Sequence, residues 1–431
     1  MMRSRSLGLV TTSALALAFA GVGSYACSSS APPPAGSSSS SGGIDASFDR
    51  DVVPAEDGGE GGRADTGTVL PLGDIPTIDE PTVACVTTAG AKTVLFPGLA
   101  KSGPPVTRVQ TIGARRFASG VDTGGFITFD PLGTTPKLFN VTLGTTDTAF
   151  SSEGATIGAI ALSTGKVDYQ RYDGQGVATG GLVSVASGIA VGPSRVWVAS
   201  GGGGTLAVWL SGTTLFAAAT TAGGGLAGPP FTLATNAATP LVAITYSGDK
   251  YAIAYSYTAG AMASAARFVY ASTTGLASTP INIGTAAAFE PVAITPTSAG
   301  FLLVVDAGGD EHIYTVPLDA TGKLSGLAHR LLGGDLPWGL ASHAGDAALL
   351  SLSNDVKVGT QEGPRTPQFR PLDITGKPTG PWVCLDGKVP AGLAQDMGIL
   401  ADATGGYSVV YKSPADATVL IRVDKLGTGA P

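Results

Sequence analysis

Pro317-Leu-Asp-Ala-Thr-Gly-Lys323 and Pro371-Leu-Asp-Ile-Thr-Gly-Lys377 are two copies of one phrase: an apolar strand end, an Asp/Thr/Gly turn, and a return into apolar sequence. Arg422-Val-Asp-Lys-Leu-Gly427 repeats it, and looser copies lie upstream in Phe129-Asp-Pro-Leu-Gly133, Arg171-Tyr-Asp-Gly174, Ala219-Thr-Thr-Ala-Gly223 and Tyr270-Ala-Ser-Thr-Thr-Gly275. Anchored on Asp130, Asp173, Thr221, Ser272, Asp319, Asp373 and Asp424, the phrase recurs every 43 to 54 residues. Recurrence on that scale marks a chain built from one supersecondary unit used many times. A hairpin precedes most anchors: Val242-Ala-Ile244 turns at Ser247-Gly248-Asp249 into Tyr251-Ala-Ile-Ala-Tyr255, and Val292-Ala-Ile294 turns at Ser298-Ala299-Gly300 into Phe301-Leu-Leu-Val-Val305. Each unit therefore reads as four short strands. Composition agrees, because 63 Gly, 29 Pro and only 13% charged residues suit tight turns between β-strands.

Four strands per unit is the size of one β-propeller blade, and radial packing buries both faces of such sheets while leaving short edges. The expected architecture is all-β: a propeller of seven four-stranded blades over residues 83–431, after a disordered N-terminal linker. A two-domain β-sandwich is the alternative. The last anchor lies close to Pro431, so the final blade lacks an outer strand, and the segment from Val83 through Val94-Leu-Phe96 is expected to supply it. The resemblance to propellers is one of arrangement. No Trp-Asp repeat, kelch Gly-Gly spacing or sialidase-type box is present.

Residues 1–26 have the three parts of a signal peptide: Arg3 and Arg5, an apolar stretch from Leu7 to about Val22, and small residues up to Ala26. Ser24-Tyr25-Ala26-Cys27 resembles the lipobox of bacterial lipoproteins, with Ser24 where the family usually has Leu. The resemblance implies a diacylglycerol on Cys27 and anchorage to a membrane. Ser28 after the Cys resembles the sorting pattern for the outer membrane, at its periplasmic face or the cell surface. A plain signal peptide cut near Ala26 and an uncleaved anchor are the alternatives. Residues 27–82, rich in Ser, Pro, Gly and Asp, read as a solvated stalk. Residues 28–82 hold ten acidic residues and two Arg, so of the chain's net charge of −7 only −1 belongs to residues 83–431. A neutral domain does not bind nucleic acid, which requires a dense basic field.

With Cys27 lipidated, Cys85 and Cys384 remain, and in an oxidising compartment they are expected to pair; two separate free thiols are the alternative. Motifs for nucleophile elbows, P-loops and zinc proteases are absent, as is Cys-x-x-Cys. Asp45, Asp49, Asp51 and Asp57 lack the spacing of a calcium loop, and no metal or cofactor is expected. Asp310, Glu311 and His312 read as a solvated hairpin tip, and His329 completes the set of three His. Asp335, Trp338, His343 and Asp396 lie where units begin, near inner strands, and form the candidate pocket. The expectation is a monomeric, non-catalytic scaffold that binds envelope proteins or surface polymers. It resembles, in arrangement alone, the propeller lipoprotein of the machinery that assembles outer-membrane β-barrels. The alternative is an enzyme acting on extracellular polysaccharide or peptide. Three or more charged or His side chains gathered at one ring mouth would favour it; an uncharged mouth favours binding.

Overall fold

The computed structural model describes residues 75–423 with breaks at 81–85, 88–91, 97–107, 120–124, 142, 144–146, 190–194, 237–241, 259–263, 287–289, 307–312, 333, 344, 354–356, 359–360, 363–365, 386–396, 404 and 413–417. Among these residues there is no helix, and the strands form a β-propeller. Six sheets are each built from one contiguous run: sheet 1 (108–140), sheet 2 (147–187), sheet 3 (196–234), sheet 4 (242–286), sheet 5 (290–331) and sheet 6 (334–384). A closing sheet is composite. It takes Met397–Ala401, Tyr407–Lys412 and Thr418–Val423 from the C-terminal end and Lys92–Phe96 from the N-terminal end. The first strand of each sheet is innermost, and these inner strands contact one another in sequence until Met397–Ala401 meets Arg108–Ile112 and closes the ring.

The expected set of seven equal four-stranded blades is therefore corrected to six contiguous blades and one composite sheet. Strand number also varies. Thr77–Glu80 adds in parallel to the outer edge of sheet 5, and Val86–Thr87 adds in parallel to the outer edge of sheet 6. The outer strand of sheet 4 comes in two pieces, Gly275–Leu276 and Ile281–Ala286. A small ribbon, Lys357–Val358 with Gln361–Glu362, interrupts sheet 6 and accounts for the longest spacing between anchors, 319 to 373.

The expected lacing of the last sheet by an N-terminal strand is present: Lys92, Thr93 and Val94 pair with Ile421, Leu420 and Val419. The boundary at Val83 moves, however, because Ile75 is fully buried in the core between sheets 4 and 5. Two carboxylates counted to the stalk are paired in the fold. Glu80 contacts His329 Nδ1 at 2.7 Å, both buried, and Asp79 faces Arg330 at 3.4 Å. A charge beside a buried partner is no longer a stalk charge.

The core consists of clusters that each fill one junction between neighbouring sheets, such as Phe268, Phe301, Leu303 and Tyr314 between sheets 4 and 5. Strands buried on both faces read as apolar runs, which is why Phe301–Val305 shows no alternation. The repeated turn adds a second contact. Asp319 Oδ1 accepts hydrogen bonds from the amides of Thr321 (2.8 Å) and Lys323 (3.0 Å), and Asp373 does the same with Thr375 and Lys377. The Thr321 hydroxyl, followed by these amides, holds the Asp319 carboxyl below its usual range. That stabilisation is complete above the unfolded carboxyl's pKa of ~3.9 and is lost as pH falls through the lower folded value. Gly322, at φ 89°, lies so close to Phe268 of the preceding sheet that a Cβ would overlap the ring. Gly376 approaches Thr315 in the same way, and its carbonyl accepts the Thr315 hydroxyl at 2.8 Å.

The seam between sheet 1 and the composite sheet is filled by the apolar cluster around Leu95, Phe129, Val410 and Leu420. Beside it lies a buried ion pair, Arg116 with Asp402, and Ser408 joins both, at 2.6 Å from Arg116 Nη1 and 2.9 Å from Asp402 Oδ2.

Two predictions follow from these contacts, both read by urea unfolding. Gly322→Ala combines a left-handed backbone with overlap onto Phe268 and should cost about 2–4 kcal/mol; a loss below about 1 kcal/mol would show that the turn does not dock. Asp402→Ala strands Arg116 and should cost about 3–5 kcal/mol, whereas Arg116→Met with Asp402→Leu should recover most of it; equal losses in both variants would contradict the seam assignment.

Candidate functional site

The inner strands do not fill the axis of the ring. Their edges enclose a cavity of about 450 Å³, to which every sheet contributes: Arg108–Gln110, Ser151, Trp197 with Ser200, Val242–Tyr246, Pro291–Thr295, Gly339–Leu340 and Ile399. The strand faces are committed to the cores between sheets, as for Val242 and Ile294. What reaches the axis is backbone and the few side chains that turn inward. Several of these cross-link the wall: Gln110 Oε1 accepts from Ser152 N at 2.8 Å, Ser151 Oγ from Ser200 N at 2.9 Å, and Thr295 and Ser342 share a hydroxyl bond of 2.8 Å.

Among the described lining residues the only charged one is Arg108. Its Nη1 donates to the carbonyls of Phe150, at 3.3 Å, and Val198, tying sheet 1 to sheets 2 and 3. Desolvation pulls its guanidinium down to about 10. Among the described residues the lining holds no carboxylate, imidazole or thiol, and no group of three or more His, Cys, Asp or Glu is suited to a metal. Glu290, at the start of sheet 5's inner strand, is raised by burial against an opposing effect of Arg195, and it is not part of the lining.

Of the four candidate pocket residues only His343 has a described side chain. Asp335 and Trp338 lie on the inner strand of sheet 6, Gly334–Ser342, but the stretch of that strand lining the cavity is Gly339–Leu340. His343 leaves that strand into a turn, where Nε2 lies 2.9 Å from the Gly406 carbonyl and the ring packs on Tyr407 at 5.0 Å between centroids. It braces the composite sheet. Tyr407 in turn donates to Asp346 at 2.5 Å, and burial, with that bond, raises its hydroxyl well above the usual range. His329 is the partner of Glu80, and desolvation lowers the neighbouring Arg370, opposed by Glu80. Asp396, His312, Asp310, Glu311, Cys27, Cys85 and Asp45 to Asp57 lie outside the described residues.

Arg108 was missed by sequence reasoning. The available signal was positional: a lone cation opening the strand about twenty residues before the first anchor, the place where inner strands begin in later units.

No family model matches the chain, and no curated protein matches it. Solved structures do. Apo AztD from Citrobacter koseri is 13% identical over 75% of this chain and 83% of its own, with a TM-score of 0.43. The AfRom2 CNH domain is 13% identical over 78% of this chain and 99% of its own, at 0.45. A puromycin hydrolase is 14% identical over 79% of this chain and 55% of its own, at 0.47. At such values these likenesses carry no argument about activity, and the propeller assignment rests on the strand order and ring closure described above.

Proposed function

We propose that this chain is an envelope lipoprotein, cleaved before Cys27 and held to the outer membrane by a lipid on that residue, whose propeller is a non-catalytic binding platform for an envelope protein or surface polymer. In this reading the composite sheet counts as a blade, making seven, and the platform acts as a monomer on its acidic stalk. One observation carries the binding role: a cavity drawn from every inner strand gathers a single charged side chain and no acid–base pair among its described residues. Hydrolysis of a glycoside or peptide bond needs converging groups to donate and accept protons. Backbone edges and hydroxyls offer hydrogen bonds instead. Among the described residues no helix is long and apolar enough to cross a membrane.

We further propose that Cys85 and Cys384 are joined. The support is the parallel pairing of Val86 with Val383 and Thr87 with Cys384, which brings the chain beside Cys85 onto the strand that carries Cys384. Such a bond would pin the N-terminal lace to sheet 6.

Palmitate labelling in the native host should mark the wild type and not Cys27→Ser; label retained in the variant would overturn the anchor. In the same cells, cross-linking and mass spectrometry should return one recurrent surface partner from wild type, and turnover of peptide or glycan by the purified domain would overturn the platform. Peptide mapping without reductant should yield one linked pair containing Cys85 and Cys384. Alkylation of both thiols in the native protein would refute it.

A further inference from the structure

Arg108 occupies an unusual position for a guanidinium. It opens the inner strand of sheet 1, its burial has desolvated it, and among the described residues it has no ion pair. Its two hydrogen bonds both leave from Nη1, to the carbonyls of Phe150 and Val198. Those bonds fix the plane of the group and use one corner of it. Nε and Nη2 make no hydrogen bond to the described protein and neither is among its buried unsatisfied atoms, so both keep some exposure, on a residue that lines the cavity. The N–H groups of Nε and Nη2 on one guanidinium point the same way, at the spacing of the two oxygens of a carboxylate.

We infer that Arg108 is the receptor for a carboxylate in the central cavity, and that the ligand is a small monocarboxylate, free or at the end of an extended peptide. A second acidic group on the ligand would find no partner among the described lining residues, where Arg108 is the one cation. The body of the ligand meets strand edges, hydroxyls of Ser200 and Thr245, and the ring of Trp197, a wall that favours amide or hydroxyl groups beside a flat apolar part. The inference rests on the platform reading and adds to it the chemistry of what is bound.

The test is calorimetric titration of the whole folded domain with hippurate, with its neutral amide, and with an N-acetylated tetra-alanine bearing a free C-terminus. Hippurate should bind at least tenfold more tightly than hippuramide. A tighter tetra-alanine would place the carboxylate at a chain end, and a tighter hippurate would place it on a free acid; both uphold the receptor. Arg108→Gln, which can still donate to a carbonyl, should weaken hippurate at least tenfold, with Arg108→Lys intermediate because it keeps the charge and loses the fork. Equal binding of acid and amide, or no binding of any of the three to wild type, overturns the receptor, and that comparison holds even if the variants fail to fold. Release of glycine from hippurate would overturn the platform reading and leave the receptor standing. Partner capture without hippurate binding would do the reverse.

Discussion

Each sheet of this protein has two apolar faces and can bury them only against the sheets before and after it. Leu303 and Val305 face one neighbour and Leu302 and Val304 the other, and all four are fully buried. A row of such sheets is unstable at its ends, since the terminal faces would meet water at about 25 cal/mol per Å². Closing the ring removes both ends, and the composite sheet is how the chain closes it. The N-terminal strand Lys92–Phe96 completes a sheet whose other strands are the last to be made. At the seam a buried ion pair accompanies the apolar cluster, so specificity of closure there comes from Arg116, Asp402 and Ser408 as well as from area.

The same constraint shapes the outside of the ring. Before entering sheet 1 the chain lays a strand along the outer edges of sheets 5 and 6 and then becomes the outer strand of the composite sheet. Edges that would otherwise present unpaired amides are covered by the protein itself. A tether attached upstream of Ile75 would therefore pull on laced strands rather than on a free terminus. The ring's interior is the complement of this arrangement. Among the described residues the axis receives strand edges, a few hydroxyls and Arg108.

The repeat was legible because its turn is chemically specific. At Asp130, Asp173, Asp319 and Asp373 a carboxylate accepts amides two and four residues on, and each of these residues ends or directly follows the third strand of its sheet. The spacing of the motif is also the spacing of the contacts between sheets. Ser151 with Ser200, Tyr270 with Ala320, and Leu332 with Trp382 are each 49 or 50 residues apart. Other features were not legible. Thr77-Ile-Asp-Glu80 has the composition of a stalk, and only the presence of His329 and Arg330 across the sheet edge makes it a strand. His343 looked like a pocket residue because it follows an inner strand, yet the turn carries it to Gly406 and Tyr407.

The amino-acid order by itself determined the all-β class, the period of the unit, the turn anchors at Asp130, Asp173, Asp319 and Asp373 and the need for a borrowed closing strand, because these depend on local turn chemistry and on counting strands. Tertiary structure alone decided which strands line the axis, which charges are paired, and that Arg108 is the charged side chain among the described residues of the cavity wall. Those properties depend on residues hundreds of positions apart, such as Glu80 and His329 or Arg116 and Asp402, whose meeting is set by ring closure and leaves no trace in the local pattern.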